Sequence, residues 1–220
     1  MRKSFVVIGA LLMSALVASA TQPPPSTYGT FETFLGYNFV RFNPNSDFVP
    51  KANFNGGSAQ FVYNFNKWLG AVADLGAVHK GIWGGYDVDT TVANYVFGPR
   101  VTFRNDSRFT PYFQALFGGA YGTTSAPIAF DRNHITQLPV IPPGFDVIPG
   151  DLISTRIGAS QNAFAMMIGG GLDVKIGKHA AFRPLAFDYY LTRFDTIRLG
   201  TTNQNNWRYS AGFNFSFGAR

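Results

Sequence analysis

Apolar and polar residues alternate singly along most of the chain. From Thr30 to Phe42, one face carries Phe31, Thr33, Leu35, Tyr37 and Phe39, and the other carries Glu32, Phe34, Gly36, Asn38 and Val40. A period of two predicts a β-strand with two unlike faces. Seven further segments repeat the pattern, near 57–63, 68–79, 91–103, 111–121, 163–175, 181–191 and 207–217. Pro184 and the phase of Arg183 predict a bulge at the start of the seventh strand. The eighth sets Trp207, Tyr209, Phe213, Phe215 and Phe217 against Arg208, Ser210, Gly212, Asn214 and Ser216.

The connections carry a second pattern. Short ones near 64–67, 104–110 and 176–179 alternate with long ones at 43–56, 80–90, 123–161 and 193–206. The expected fold class is therefore all-β: an eight-stranded antiparallel up-and-down transmembrane β-barrel with short periplasmic turns and long external loops.

Composition decides which face meets which medium. Aromatic residues make up 16% of the chain and charged residues 14%, whereas a soluble domain carries about 25% charged residues. The Phe, Leu, Ile, Val and Tyr set is expected to face hydrocarbon. The other set is Gly, Ala, Ser, Asn and Gln with single charges, and it suits a lumen that side chains fill. Inward charges need partners, so Glu32, Asp74, Arg100, Asp173, Asp188 and Arg208 form the candidate lumen network, with Arg41 and Lys175 as further candidate bases. Trp68, Tyr63, Tyr112, Tyr189 and Trp207 lie near strand ends and are the expected interface aromatics.

The chain starts with Arg2 and Lys3, an apolar run from Phe5 to Val17, and Ala18-Ser19-Ala20. This order predicts a signal peptide over 1–20, cleavage after Ala20 and export through the inner membrane. A proline-rich leader follows at 21–27 and the barrel domain at 28–220. The sequence has no cysteine, which excludes disulfides and thiolate chemistry. No cofactor and no metal are expected. The net charge of +6 is dispersed and predicts no nucleic-acid partner.

Leu35-Gly36-Tyr37-Asn38-Phe39, Tyr95-Val96-Phe97-Gly98-Pro99-Arg100 and Gly169-Gly170-Gly171-Leu172-Asp173-Val174, on this architecture, resemble the small bacterial outer-membrane β-barrels grouped with the membrane part of OmpA and with OmpX. The resemblance covers about Thr27 to Phe217. It implies a monomer in the Gram-negative cell envelope, in contact with outer-membrane lipid. It also implies the absence of a peptidoglycan-binding domain, since three residues follow Phe217. Phe213, Phe215 and Phe217 resemble the C-terminal signal that the outer-membrane assembly machinery recognises, although Gly218, Ala219 and Arg220 come after it.

Three function classes fit such a barrel: a structural or surface-interaction protein with a plugged lumen, a narrow porin-like channel, and a lipid-modifying enzyme. The first is the expected one. No catalytic residues are assigned, because His79, His134 and His179 show no His-x-Ser pattern on a lipid-facing strand. Gly169-Gly170-Gly171 lacks the Lys-Ser/Thr and helix of a phosphate loop. The segment 123–161 is long for a connection, and its apolar residues, Ile128, Phe130, Leu138 and Ile141 among them, are interspersed with Pro127, Pro139, Pro142 and Pro143. It either receives an extracellular partner or folds over the barrel mouth.

Overall fold

The computed structural model describes residues 29–44, 50–82, 87–131, 146–148, 152–196, 200–201 and 203–219. The expected signal peptide and leader, and His134, lie outside these residues. Eight long strands follow one another: β1 (Gly29–Phe42), β2 (Ala52–Asn64), β3 (Leu69–Lys80), β4 (Asp89–Thr102), β5 (Phe109–Asp131), β6 (Leu152–Lys175), β7 (Ala180–Thr192) and β8 (Gln204–Ala219). Short strand pieces occur at Asp146–Ile148, Asp195–Thr196 and Gly200–Thr201.

Each long strand pairs antiparallel with its neighbour in sequence, and β1 closes the ring against β8, from Gly29↔Ala219 to Arg41↔Trp207. Closure leaves the barrel wall without an edge, the condition for a sheet to stand in lipid. The alternation read from the sequence sets the facing of the wall. Phe31, Leu35, Phe61, Phe97, Phe113, Phe187 and Phe213 point outward and are exposed, while Glu32, Gln60, Asp74, Arg100, Gln114, Asp188 and Arg208 are buried inside. A water-soluble barrel has the reverse arrangement. This distribution belongs to a barrel with hydrocarbon outside and a polar interior.

Three strands exceed their expected limits by five residues or more at one end. β2 begins at Ala52, not near Gly57. β5 and β6 stay paired as far as Asp131↔Leu152. The flanks of the expected 123–161 loop therefore form an antiparallel ribbon that prolongs the barrel wall, where no strand was expected; the residues between them, 132–145 and 149–151, lie outside the described ones. The cause is physical: Thr123, Thr124 and Ser125 face Ser160, Ala159 and Gly158 across the pair, and most of these are at least partly exposed. With water on both sides, no hydrophobic period marks the strand, yet the backbone ladder continues.

The bulge lies where Pro184 and Arg183 predict it. Registers on both sides of β7 shift there, between Ser210 and Gly212 on β8 and between Leu172 and Val174 on β6. The extra residue reverses the facing below it. Leu185 is 52% exposed, whereas Arg183, two positions earlier, is turned fully into the lumen.

Candidate functional site

The lumen holds a connected polar network. Asp74 on β3 accepts from Gln60 Nε2 (2.7 Å), Asn94 Nδ2 (2.7 Å) and both terminal nitrogens of Arg208 (2.9 and 2.8 Å). Arg208 on β8 also donates to Asp188 Oδ2 on β7 through Nε (3.1 Å) and NH2 (2.9 Å). Gln114 Nε2 on β5 donates to Asp188 Oδ1 at 3.2 Å. Gln114 Oε1 accepts from Arg100 on β4, whose NH2 also reaches Gln60 Oε1 on β2. The circuit Arg100–Gln60–Asp74–Arg208–Asp188–Gln114 thus closes on itself, with each member from a different strand.

A second group joins it toward the short-turn end. Arg183 holds Asp173 through Nε (2.6 Å) and NH2 (3.0 Å), and its NH1 donates to the same Gln60 oxygen. Asn214 links Asp173 to Glu32, and Glu32 pairs with Arg104. Four carboxylates and four guanidiniums therefore sit together in the interior. Charge balance of this kind, with the remaining valences met by amides, is what makes buried ions tolerable. Arg100 bonds only neutral amide oxygens among the described hydrogen bonds, and its charge is further eased by the face of Tyr112, 4.2 Å away.

Of the six charges expected inside, all six are placed in this network. Arg183 and Arg104 escaped sequence reasoning, one because of the bulge and the other because it follows β4 in a turn. Arg41 and Lys175 are elsewhere. Arg41 is exposed and donates to Asn53 Oδ1, and Lys175 donates to the backbone carbonyls of Asn105 and Ser107. Among the expected interface aromatics, Trp68, Tyr63 and Trp207 lie on the outside, and Tyr189, half-buried, donates to Asn205. Tyr112 does not belong with them. It shares the inward face with Gln114, is 4% exposed, and stacks against Arg100 and Arg183. Phe213, Phe215 and Phe217 are all exposed on the outer face of β8.

Above the charged layer the interior holds an apolar cluster beside buried Thr192, Gln204 and Asn206. Val40, Phe54, Val78, Val92, Leu116 and Met167 form a buried cluster toward the long-loop end. A cavity of about 10 Å³ remains beside Phe54 and Tyr190, room for about one water molecule. Phe34, Gln60, Asp74, Val96, Leu116, Met167, Asp188 and Arg208, one from each strand, are at most 2% exposed. Every strand thus supplies at least one side chain that solvent scarcely reaches.

Outside, His79 is placed beside Thr91 (Nδ1 to Oγ1 3.0 Å) and Asp89 (Nε2 to Oδ1 3.8 Å). The likeness to a nucleophile–base–acid set is superficial. His79 and Thr91 are direct cross-strand partners, the acid stands beyond hydrogen-bond reach, and Arg156 NH2 holds Asp89 Oδ2 at 2.6 Å. The same Arg156, on the ribbon, also reaches Asp87 and thereby ties the ribbon to the β3–β4 connection.

No protein-family model matches the sequence, and no curated protein matches it. Solved structures do. The chain is similar to the attachment invasion locus protein Ail of Yersinia pestis, with 16% identity over 86% of this chain and 99% of that one and a TM-score of 0.52. It is also similar to Neisserial surface protein A, with 12% identity over 86% and 97% and a TM-score of 0.56. At such identities the likeness concerns the fold, and on that ground the chain has the eight-stranded barrel fold of small outer-membrane proteins.

Proposed function

We propose that this protein is an outer-membrane barrel with a closed lumen, whose role is surface interaction carried by the external β5–β6 ribbon. The observation that carries the reading is the division of labour between its parts. The interior is spent on a balanced, inaccessible network, whereas the exposed and regular part beyond the membrane belt is the ribbon. Two fold neighbours bear names describing attachment and a surface location, which supports the same direction. In this reading 1–20 is removed after Ala20, 21–27 is a tether, and the outward Phe213, Phe215 and Phe217 present the assembly signal.

The channel reading predicts the opposite electrical behaviour. Purified barrel in planar bilayers is expected to show no steady openings, since solvent cannot pass the charged layer. Steady conductance that disappears in Arg100→Ala or Asp173→Ala would refute the closed lumen.

Trimming 125–158 tests the surface role. Thr124 and Ala159 are cross-strand partners, so a two-residue Asn-Gly turn can close the shortened hairpin. The trimmed barrel is expected to remain heat-modifiable on gels and to lose adherence to the surfaces that the full protein binds. Undiminished adherence would remove the ribbon from consideration.

A further inference from the structure

The outer wall carries a groove of about 410 Å³ on its short-turn half. Its floor is β3: Ala73 stands between its cross-strand partners Phe61 and Phe97, and Ala71 between Tyr63 and Pro99. The three flanking rings are exposed. β2 and β4 stand two strand spacings apart, about 10 Å, so two methyl groups between ring-bearing strands leave a trough along β3. Exposed Leu75 follows on the same face and ends the run of small residues. In the other direction the trough leads to the β2–β3 turn.

That turn is pinned and basic. Asn66 Oδ1 accepts from the backbone N–H groups of Trp68 (2.9 Å) and Leu69 (2.8 Å), and Arg104 NH1 donates to the Lys67 carbonyl (2.7 Å). The backbone is thus held under Lys67, whose side chain is exposed beside exposed Trp68. The three short turns and the end of β6 carry Lys67, Arg104, Arg108, Lys175 and Lys178 against one acid, Asp106. Arg104 is offset by Glu32, and a positive excess remains at this rim. From Ala73 back to Lys67 the chain runs about 20 Å at the strand rise. At a strand tilt of about 40° this is about 15 Å of depth, half of a hydrocarbon core of about 30 Å. The trough therefore spans one leaflet and ends at a cation.

We propose that this groove seats one acyl chain of an anionic phospholipid of the periplasmic leaflet, with its phosphate held at Lys67. The site lies at the end of the barrel away from the ribbon and does not depend on the surface role. The outward wall stands in hydrocarbon, so the occupant that reaches the trough is a lipid chain. A chain lying on Ala71 and Ala73 touches rings on both sides and gains dispersion contacts that a smooth wall does not give. Charge selects the headgroup: one cation near an anionic lipid surface strengthens attachment about fivefold, whereas a zwitterionic headgroup gains little.

The test uses the full barrel in phosphatidylcholine vesicles, with Trp83→Phe and Trp207→Phe leaving Trp68 as the sole tryptophan. Phosphatidylglycerol or phosphatidylcholine brominated on its acyl chains is added in increasing fraction, and quenching of Trp68 is read. Half-quenching is expected at an about fivefold lower fraction of the brominated phosphatidylglycerol than of the brominated phosphatidylcholine. Lys67→Gln should bring the two within about twofold. Ala73→Leu fills the trough and should erase most of the preference, whereas Ala77→Leu, on the same strand beyond Leu75, leaves it intact. Heat-modifiability on gels checks that each variant is folded. Equal quenching by the two lipids in the parent overturns the proposal. So does a preference that survives Lys67→Gln or Ala73→Leu, or one that is lost in Ala77→Leu. A second copy of the chain in the groove would shield Trp68, so absence of quenching by both lipids overturns it as well.

Discussion

Replacing Arg208 with leucine is expected to lower the stability of the barrel by about 3–5 kcal/mol. The guanidinium serves Asp74 and Asp188 at once, so its loss leaves two carboxylates in a dry interior with only amide donors. The cost comes less from the ion pair itself than from the charges left behind. A control separates these terms: adding Asp74→Asn and Asp188→Asn to Arg208→Leu removes the stranded charges and should restore most of the loss. Urea unfolding in lipid vesicles, followed by tryptophan fluorescence, reads both variants. An unchanged midpoint in the single variant would show that the circuit does not hold the barrel together.

The second large effect is steric. A Cβ placed on Gly98 would come within 2.0 Å of the Ala115 carbonyl oxygen on β5. That atom is backbone in the next strand and cannot swing aside, so β4 and β5 would have to part. Gly98→Val is expected to cost about 3 kcal/mol or more and to leave little heat-modifiable protein after refolding. A Cβ on Gly177, in the β6–β7 turn, would have nothing within 4 Å, and Gly177→Ala should refold like the parent. Equal refolding yields of the two variants would contradict the close approach of β4 and β5.

Both effects were only half visible in the sequence. The alternation placed Asp74, Arg208 and Asp188 on the inner face, because a period of two is read directly from residue order. Which acid meets which base was not visible, since the meetings lie across the barrel and depend on its stagger. Arg183 shows the limit more sharply. Strict alternation from Leu185 assigns it to lipid, and only the bulge at Pro184 turns it inward. The signal was present as an awkward phase, but the direction of the turn requires the neighbouring registers. Tyr112 was a different failure: its place near a strand end suggested an interface residue, although its own parity, shared with Gln114, pointed inward. The ribbon escaped because a strand with water on both faces has no hydrophobic period to announce it.

The closed circuit also bears on the order in which the barrel can form. Arg208 lies on β8, the final strand, whereas its two acceptors lie on β3 and β7. Until β8 docks against β1 and β7, Asp74 lacks its cation and an incomplete sheet carries an unbalanced interior. A chain stalled at seven strands is thus penalised in lipid, beyond the penalty of its open edges. Closure of the wall and neutralisation of the lumen become a single event, which favours an all-or-none final step and disfavours long-lived partial barrels.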